Sequence, residues 1–297
     1  MGPLQISSGM GGSPGRLGIL ADRVPPLGFF MTSAVFHYLG PSLAVLLFAR
    51  IEVLGVAWLR IAAAALVFGL SRRAWRFWSQ APRAQQLTVL ALGLVLAAMN
   101  GFFYLAIARL PLGTVGAIEF LGPIALAAIG MRSLRNLLAL GFAVAGVAVL
   151  TDIRLAGEPL GYVFAFANAA LFLLYILLGH RIAASGGTAG IERLAAAMGV
   201  ALVAITPFGL GAAWPAFSDP MLLLAGAGVG IASSVVPYIC DQLAMARLSR
   251  AHFALLLSVL PAMASLIGFL VLRQVPSLAE LTGIGLVVAG VALHREA

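Results

Sequence analysis

The stretch MNGFFYLAIARLPLGTVGAIEFLGP, residues 99–123, decides the fold of this chain. It is apolar almost throughout, yet it carries Asn100, Arg109 and Glu119. Arg109 and Pro111 divide it between the end of one apolar run and the start of the next. Each run has the length of roughly 20 residues with which a helix crosses the hydrocarbon core of a bilayer. The stretch therefore predicts two consecutive membrane spans that hold an amide and a carboxylate.

The rest of the chain has the same character. Of its 297 residues, 62% are hydrophobic and 9% are charged, whereas soluble domains carry about 25% charged residues. A soluble protein of this length could not hide so much apolar surface from water. The composition predicts a membrane protein, and we interpret the net charge of +8 as a topological signal rather than as affinity for nucleic acid.

Several classes of enzyme are excluded by the sequence. All 18 basic residues are Arg, which excludes a Walker A loop and Schiff-base chemistry because both need a lysine. A single cysteine, Cys240, excludes an internal disulfide. No HExxH, GxSxG or paired-cysteine spacing occurs, and the four histidines are scattered. We expect a protein that is not an enzyme and that has neither a metal site nor a cofactor.

Ten apolar runs result when the chain is cut at its Arg, Pro and Gly clusters. They are too long and too uniformly apolar for barrel strands, which alternate over about 10 residues. Helices satisfy their own backbone hydrogen bonds in lipid, so the predicted fold is an all-α membrane protein with ten transmembrane helices. The predicted spans are 27–49, 53–71, 87–108, 111–130, 134–151, 160–180, 193–213, 221–245, 251–272 and 278–294.

The arginines predict the orientation of these spans. If both termini are cytoplasmic, thirteen arginines lie inside and Arg60 lies within a span, which leaves Arg50, Arg109, Arg154 and Arg273 outside. Such a bias is the positive-inside signal of an inner-membrane protein. The loop SRRAWRFWSQAPR (71–83) is then cytoplasmic, and its two tryptophans are typical of an interfacial helix rather than of nucleic-acid binding. We expect residues 1–25 to form a mobile cytoplasmic tail.

An internal repeat accompanies the spans. A shift of 138 residues places LAIARL (105–110) on LAMARL (243–248), and a shift of 144 places GFAVAGVA (141–148) on GLVVAGVA (285–292). The small residues of the second pair predict close-packing faces. A unit of five spans forces the two halves, 26–152 and 153–297, into opposite orientations. Inverted repeats around a site at mid-membrane are recurrent in transporters that work by alternating access, although a duplication kept only for packing would leave the same trace.

Four ionisable side chains fall well inside predicted spans. Each costs roughly 2.5–3.5 kcal/mol or more at mid-membrane, so such groups face a cavity or pair with one another. Glu119 fits a substrate or proton site, or a structural ion pair with Arg60. Asp241 fits a cavity site or a pair with Arg247. The four candidates are His37, Arg60, Glu119 and Asp241.

His37 and its neighbour Tyr38 are ambiguous in a similar way. They could line a cavity, but a lone membrane histidine is as often a helix–helix hydrogen bond. Arg109 lies at a helix end, where a long side chain can snorkel to the interface, so we do not count it among the site residues.

Polar and aromatic residues share a helix face in three different spans, since they recur at intervals of three or four residues. Amide and hydroxyl groups beside aromatic rings suit a zwitterion with a partly apolar body, although interhelical packing would produce the same pattern. Three such faces on different spans favour a shared cavity. The faces are Asn100, Phe103 and Tyr104; Asn168, Phe172 and Tyr175; and Ser233, Ser234 and Tyr238.

Two prolines fall inside predicted spans at matched repeat positions, Pro123 and Pro261. A proline within a helix frees a carbonyl and bends the helix. We interpret both as candidate hinges, with tolerated kinks as the alternative.

Five motifs carry a resemblance to a known family. The chain resembles the EamA branch of the drug/metabolite transporter superfamily, and more closely the bacterial amino-acid exporters of the threonine/homoserine and aromatic amino-acid types. The similarity extends over nearly the whole chain. The motifs are LRIAAAALVF (59–68), MNGFFYLAIARLPLG (99–113), AIEFLGP (117–123), LLYILLGHR (173–181) and VPYICDQLAMARL (236–248).

The resemblance implies ten helices in two inverted five-helix repeats around a central cavity, with cytoplasmic termini. Second repeats of the family usually carry Glu-Pro and a later Gly-Glu pair, where this chain has Leu260-Pro261 and Arg273-Gln274. Because two acids of that pattern are absent, the resemblance does not separate proton coupling from facilitated diffusion. Motif positions place these residues in or beside the cavity: Asn100, Tyr104, Glu119, Tyr175, Tyr238 and Asp241.

Together these observations predict an inner-membrane carrier that exports amino acids or related small metabolites by alternating access. An exporter of drugs or other metabolites with the same fold is the alternative, followed by a non-transporting membrane scaffold. The expected partners are a small-molecule substrate and the lipid bilayer, without nucleic acid. The sequence leaves the oligomeric state open, and a monomer is compatible with it.

Overall fold

The computed structural model describes residues 24–72, 74–122, 133–152, 158–184, 187–248 and 260–293, and within these ranges it contains helices and no strand. A five-residue π-helical segment, Ile231–Val235, joins the helices Pro220–Gly230 and Val236–Met245. The helices are α1 (Pro26–Leu47), α2 (Val53–Arg72), α3 (Trp75–Gln80), α4 (Arg83–Ile107), α5 (Leu112–Glu119), α6 (Leu134–Asp152), α7 (Pro159–Ala183), α8 (Gly187–Phe217), α9 (Pro220–Gly230), α10 (Val236–Met245), α11 (Leu260–Leu272) and α12 (Leu278–Leu293).

Six helical segments in the described part of the chain are long and apolar enough to cross a membrane. They fall on six of the predicted spans, so the protein is an all-helical, multi-pass membrane protein. The six are Pro26–Leu47, Val53–Leu70, Arg83–Ile107, Pro159–Ala183, Ala189–Phe217 and Pro220–Met245. Shorter apolar helices occupy three further predicted spans, at Leu134–Val149, Leu260–Leu272 and Leu278–Gly290.

The predicted fourth span is described only in its first part, which is α5. Residues 123–132, the later part of that span, lie outside the described residues, and so do 1–23 with most of the predicted tail. Candidate hinge Pro123 is therefore also outside, whereas Pro261 is the second residue of α11 and stays a prediction as a hinge.

Sequence features at the helix ends explain where the helices begin. Prolines occupy the first position of α1, α7 and α9, where the missing N–H would have had no partner in the helix. Asp219 caps α9, since its Oδ1 accepts hydrogen bonds from the backbone N–H of Met221 at 2.9 Å and of Leu222 at 3.4 Å. The predicted interfacial helix is present as α3, with Trp75 and Trp78 both exposed.

The closely packed helix pairs include α6 on α12, α2 on α8, α4 on α7, α5 on α11, and α1 on α10. Small residues let several of these pairs approach closely, as is usual between membrane helices. A Cβ at Gly146 of α6 would lie 2.5 Å from the carbonyl oxygen of Gly283, and one at Gly290 of α12 would lie 2.6 Å from that of Ala139. The close-packing faces predicted for spans five and ten therefore meet each other.

Apolar and polar side chains of the spans differ in where they lie. Large apolar residues such as Leu66, Val203 and Leu224 are exposed on the outer faces of the helices, where lipid is the surrounding solvent. Asn100 and Glu119 are only 1% and 2% exposed. The amide and the carboxylate of the 99–123 stretch therefore point into the bundle.

Gly40 of α1 makes the tightest approach to the π-helical segment, because a Cβ there would lie 2.5 Å from the backbone nitrogen of Ser233. We expect Gly40→Ala to lower the stability of the purified protein by about 1–3 kcal/mol, the usual cost of overpacking a filled core. The measurement is the thermal unfolding midpoint in detergent.

Gly211→Ala is the matched control, since Gly211 also lies within a helix and a Cβ there would meet nothing within 4 Å. It should leave the midpoint unchanged or raise it, because Ala favours helix over Gly by about 1 kcal/mol. Equal midpoints for the two variants would contradict the packing described at Gly40.

Candidate functional site

Polar side chains from α1, α2, α4, α5, α7 and α10 meet in the interior of the bundle, with the π-helical segment beside them. All of the side chains that take part are buried or nearly so. Two carboxylates, one guanidinium and one imidazole supply the ionisable groups. We call this set the central cluster: Ser33, His37, Tyr38, Arg60, Asn100, Tyr104, Glu119, Asn168, Phe172, Tyr175, Ser234, Tyr238 and Asp241.

Glu119, the last residue of α5, is held by three side chains from two other helices. Asn168 donates a hydrogen bond to Oε1 at 2.9 Å, and the hydroxyl of Tyr38 donates to Oε2 at 3.3 Å. His37 Nε2 lies 3.8 Å from the same Oε2. Arg60 is not within ion-pair distance of Glu119, so the structural ion pair that the sequence left open is not formed.

Asp241 of α10 is the second buried carboxylate, at 6% exposure. The hydroxyl of Ser33 donates to Oδ1, and the hydroxyl of Tyr175 donates to Oδ2 at 3.0 Å. Arg247, the partner that the sequence offered, instead donates to the backbone carbonyl of Val24 at 3.1 Å. Asp241 is thus tied to α1 and α7 rather than to the membrane interface.

Arg60 of α2 is buried at 4% exposure and is bound by the π-helical segment. Its Nε donates to the hydroxyl of Ser234 at 2.8 Å, and its terminal NH2 group donates to the carbonyl oxygen of Ser233 at 2.6 Å. That carbonyl is accessible because Pro237, four residues later, has no N–H to bond with it. The guanidinium also lies 5.3 Å from the ring centre of Tyr104, within cation–π range.

Aromatic rings connect the charged groups. Phe172 packs on His37 at 6.0 Å between ring centres and on Tyr175 at 5.9 Å. The ring of Tyr175 contacts that of Tyr238 at 5.6 Å, and Asn100 donates to the Tyr238 hydroxyl at 3.3 Å. These contacts join the Glu119 side of the cluster to the Arg60 side.

A small cavity borders the central cluster. It has a volume of about 10 Å³ and lies between α1, α7 and α10, with His37, Tyr175 and Asp241 among its walls. That volume holds a single water molecule. A larger ligand needs more room than this cavity has.

The structure brings together twelve of the thirteen side chains predicted for the cavity, and Phe103 is the exception. Phe103 is buried, but its one ring contact among the described residues is with the adjacent Tyr104 at 6.2 Å. Sequence analysis missed Ser33, although its position four residues before His37 places both on one face of α1. It also missed the backbone carbonyl of Ser233, which no residue type signals.

Comparison with characterised proteins shows the family to which the chain belongs. It is 32% identical to the threonine/homoserine exporter RhtA of Salmonella typhimurium (strain LT2), over 82% of this chain and 81% of that protein. It is 31% identical to RhtA of Escherichia coli (strain K12), over 84% of each. The chain belongs to the RhtA family of exporters.

Membership of the RhtA family makes the protein a bacterial membrane transporter and not an enzyme, and it confirms the resemblance to amino-acid exporters that the motifs carry. No family model matches the chain. A solved crystal structure with 18% sequence identity covers 91% of this chain and 96% of its own, with a TM-score of 0.60. That structure supports the fold alone.

Two tyrosines of the central cluster can be compared to measure how much its hydrogen bonds stabilise this RhtA-family protein. Tyr175 donates to the Asp241 carboxylate, whereas the buried hydroxyl of Tyr104 has no hydrogen-bond partner among the described residues. We expect Tyr175→Phe to lower stability by about 0.6–1.7 kcal/mol, the range for hydrogen bonds between membrane helices. Unfolding of the purified protein in detergent, followed by circular dichroism, measures it.

Tyr104→Phe should leave stability unchanged or raise it, because removing an unpartnered buried hydroxyl removes a desolvation cost. A loss of stability in Tyr104→Phe as large as that in Tyr175→Phe would show that the two hydroxyls are held alike.

Proposed function

We propose that the protein exports small amino acids across the inner membrane by alternating access, with threonine and homoserine as the first substrates to test. The observation that carries the proposal is the central cluster, in which a fixed cation and two carboxylates are buried on three different helices. The named substrates of the RhtA relatives select the chemical class. The drug-exporter and scaffold alternatives have no comparable observation in their favour.

An α-amino acid matches the charges of the central cluster. Arg60 offers planar N–H donors that suit a carboxylate. Glu119 and Asp241 are acceptors for an ammonium group. The cluster therefore holds complementary groups for both ends of a zwitterion.

Two atoms of the cluster favour a substrate with a further hydroxyl. The Tyr104 hydroxyl and the side-chain oxygen of Asn168 are buried without hydrogen-bond partners among the described residues. A ligand hydroxyl can donate to the Asn168 oxygen or accept from the Tyr104 hydroxyl. Sites built on such groups discriminate strongly against analogues that lack the hydroxyl, because the buried partners then stay unsatisfied.

The proposed architecture is two inverted five-helix repeats, 26–152 and 153–297. If each span is exchanged with the span five places later, the α1–α10 pair becomes the α7–α4 pair. The pairs α6–α12, α2–α8 and α5–α11 are then exchanged with themselves. Gly146 and Gly290, which the repeat matches, make reciprocal close contacts. Both observations support a pseudo-two-fold axis through the central cluster, about which the halves would rock.

Cytoplasmic termini and ten crossings are the proposed topology. Support comes from polar contacts that join segments assigned to the same side of the membrane. On the proposed outer side Arg50 contacts Asp219 at 3.3 Å. On the proposed inner side Arg193 donates to Gln85 at 3.2 Å, and Arg135 donates to the carbonyl of Leu293 at 2.7 Å.

Glu119→Gln tests the transport proposal directly. We expect the wild-type protein in liposomes to catalyse counterflow of labelled threonine, and the variant to lose about ten- to a hundredfold of that rate, because a charged hydrogen bond of about 1.5–3 kcal/mol to the ammonium group is removed. A panel of labelled amino acids, with and without a pH gradient, defines the substrate range and any proton coupling.

Glu52→Gln is the matched control, since Glu52 is an exposed carboxylate in the loop before α2. It should transport like the wild type. Wild-type flux from Glu119→Gln would assign Glu119 a structural role, and a wild-type protein that moves no amino acid would overturn the proposed function.

Single cysteines test the topology. In a Cys240→Ala background, Ser218→Cys, in the exposed turn between α8 and α9, should react with a membrane-impermeant maleimide in intact cells. Ser79→Cys, on the exposed face of α3, should react only after the cells are permeabilised. The reverse pattern, or equal labelling of both, would reject the ten-span orientation.

A further inference from the structure

Gln242 of α10 is fully buried, yet neither polar atom of its side-chain amide has a hydrogen-bond partner among the described residues. It follows Asp241 in the chain but is not a member of the central cluster. A buried amide without partners keeps the full cost of its desolvation. Because folded proteins leave few buried polar atoms unpaired, both atoms of this amide point to a partner that binds in another state of the protein.

Two glycines enclose the amide from α7 and α8. A Cβ at Gly190 would lie 2.7 Å from its Oε1, and one at Gly179 would lie 3.7 Å from its Nε2. We call the enclosing segments the inner cover: 179–183 of α7 and 190–193 of α8. The amide touches the inner cover but forms no hydrogen bond with it in the described part of the chain. Movement of the cover away from α10 would therefore break no hydrogen bond of Gln242.

The two segments of the inner cover are tied to each other. Arg193 at the start of α8 donates to the carbonyl of Ile182 near the end of α7, at 3.3 Å. In the proposed topology α7 ends, and α8 begins, on the cytoplasmic side of the membrane. One turn deeper in α7, Tyr175 donates to Asp241 at 3.0 Å. The inner cover thus lies on the cytoplasmic side of the Asp241 carboxylate.

The internal repeat relates Gln242 to a second buried polar group. The shift of 138 residues places Asn100 on Tyr238 and Tyr104 on Gln242. Asn100 donates to the Tyr238 hydroxyl at 3.3 Å, so the first matched pair meets within the central cluster. Tyr104 and Gln242 lie one turn further along α4 and α10, and both are unpartnered where the structure describes their surroundings. Because α4 runs outwards and α10 inwards in the proposed topology, these two groups lie on opposite sides of the Asn100–Tyr238 contact.

We propose that Gln242 is a substrate-binding residue of the cytoplasmic entrance, whose amide binds the entering amino acid when the inner cover moves away and passes it to Asp241. This inference rests on the proposed function, because it takes the amino acid and its direction of travel from that proposal. An amide donates to a carboxylate through its NH2 group and accepts from an ammonium group through its oxygen. One zwitterion therefore satisfies both unpartnered atoms. In the absence of substrate the same atoms favour opening of the cover, because water then reaches them.

Two variants of Gln242 separate substrate binding from packing. Gln242→Met removes both polar atoms at nearly the same side-chain length, so the thermal unfolding midpoint should stay unchanged or rise. The threonine concentration for half-maximal counterflow in liposomes should rise about three- to tenfold, the value of one lost hydrogen bond. Gln242→Asn keeps the amide but leaves the space of a methylene, so its midpoint should fall while its half-maximal concentration stays close to that of the wild type.

Gln80→Met is the matched control, since Gln80 is an exposed glutamine on α3, on the same proposed side of the membrane. It should leave both the midpoint and the half-maximal concentration unchanged. A residue that serves packing alone would give the same order of variants in both measurements. The proposal requires opposite orders for Gln242→Met and Gln242→Asn.

A buried thiol tests opening of the inner cover without requiring transport. Ala183 is 2% exposed, and a Cβ at Gly190 would lie 3.3 Å from its Cα. In a Cys240→Ala background, the thiol of Ala183→Cys should react with a maleimide in detergent only when the cover opens. We expect L-threonine to slow this reaction several-fold, because bound substrate occupies the space that the reagent must cross. Addition of Gln242→Met should remove most of the slowing at the same threonine concentration.

Three results would overturn the role of Gln242: wild-type threonine affinity in Gln242→Met, a lower midpoint for that variant, which would show an amide held by bound water, or no reaction of the Ala183→Cys thiol. A protein whose thiol is protected by threonine but which shows no counterflow would contradict the proposed transport alone. Counterflow that is normal in both the wild type and Gln242→Met would contradict the entrance site alone, so the two failures are distinguishable.

Discussion

An arginine guanidinium is buried between the helices, and the surrounding structure supplies its hydrogen-bond acceptors. Arg60 needs strong acceptors, and the π-helical segment provides the Ser233 carbonyl and the Ser234 hydroxyl. Pro237 leaves that carbonyl without its helical donor. Gly40 lets α1 approach the same segment. A proline, a π-helical turn and a glycine, each unfavourable on its own, together offset the penalty of several kcal/mol for burying one ion.

The two carboxylates are held apart from this cation by the same two helices. From α1, Tyr38 binds Glu119 and Ser33 binds Asp241; from α7, Asn168 binds Glu119 and Tyr175 binds Asp241. The repeat matches α1 with α7, yet the acids lie on α5 and α10, which it does not match. Two acids on spans that the proposed repeat does not match are therefore bound by two helices that it does match.

Helix positions could be predicted from the sequence because lipid imposes a length and an apolar composition that few other structures share. The polar faces could be predicted because residues three and four apart share a side of a helix. Contacts between helices could not be predicted, since they depend on which helix faces meet. That is why Ser33 was overlooked and why an ion pair between Arg60 and Glu119 was considered.

The prolines show the same limit of prediction from sequence. The repeat drew attention to Pro123 and Pro261, whereas the prolines well inside described helices include Pro41 of α1 and Pro207 and Pro215 of α8. The proline with the clearest chemical consequence is Pro237, and its effect requires a guanidinium from another helix. Sequence spacing within one span carries no signal of such a partner.

Closure of the central cluster by its own polar groups has a consequence for transport. Hydrogen bonds between membrane helices contribute only about 0.6 kcal/mol on average, so several can be exchanged without unfolding the bundle. The groups that close the cavity, such as Tyr38 on Glu119 and Tyr175 on Asp241, are bound to the acceptors that an ammonium group would need. In the proposed mechanism, a substrate that binds the carboxylates displaces those hydroxyls and loosens α1 and α7. Recognition of the substrate and opening of the site would then be one exchange of hydrogen-bond partners.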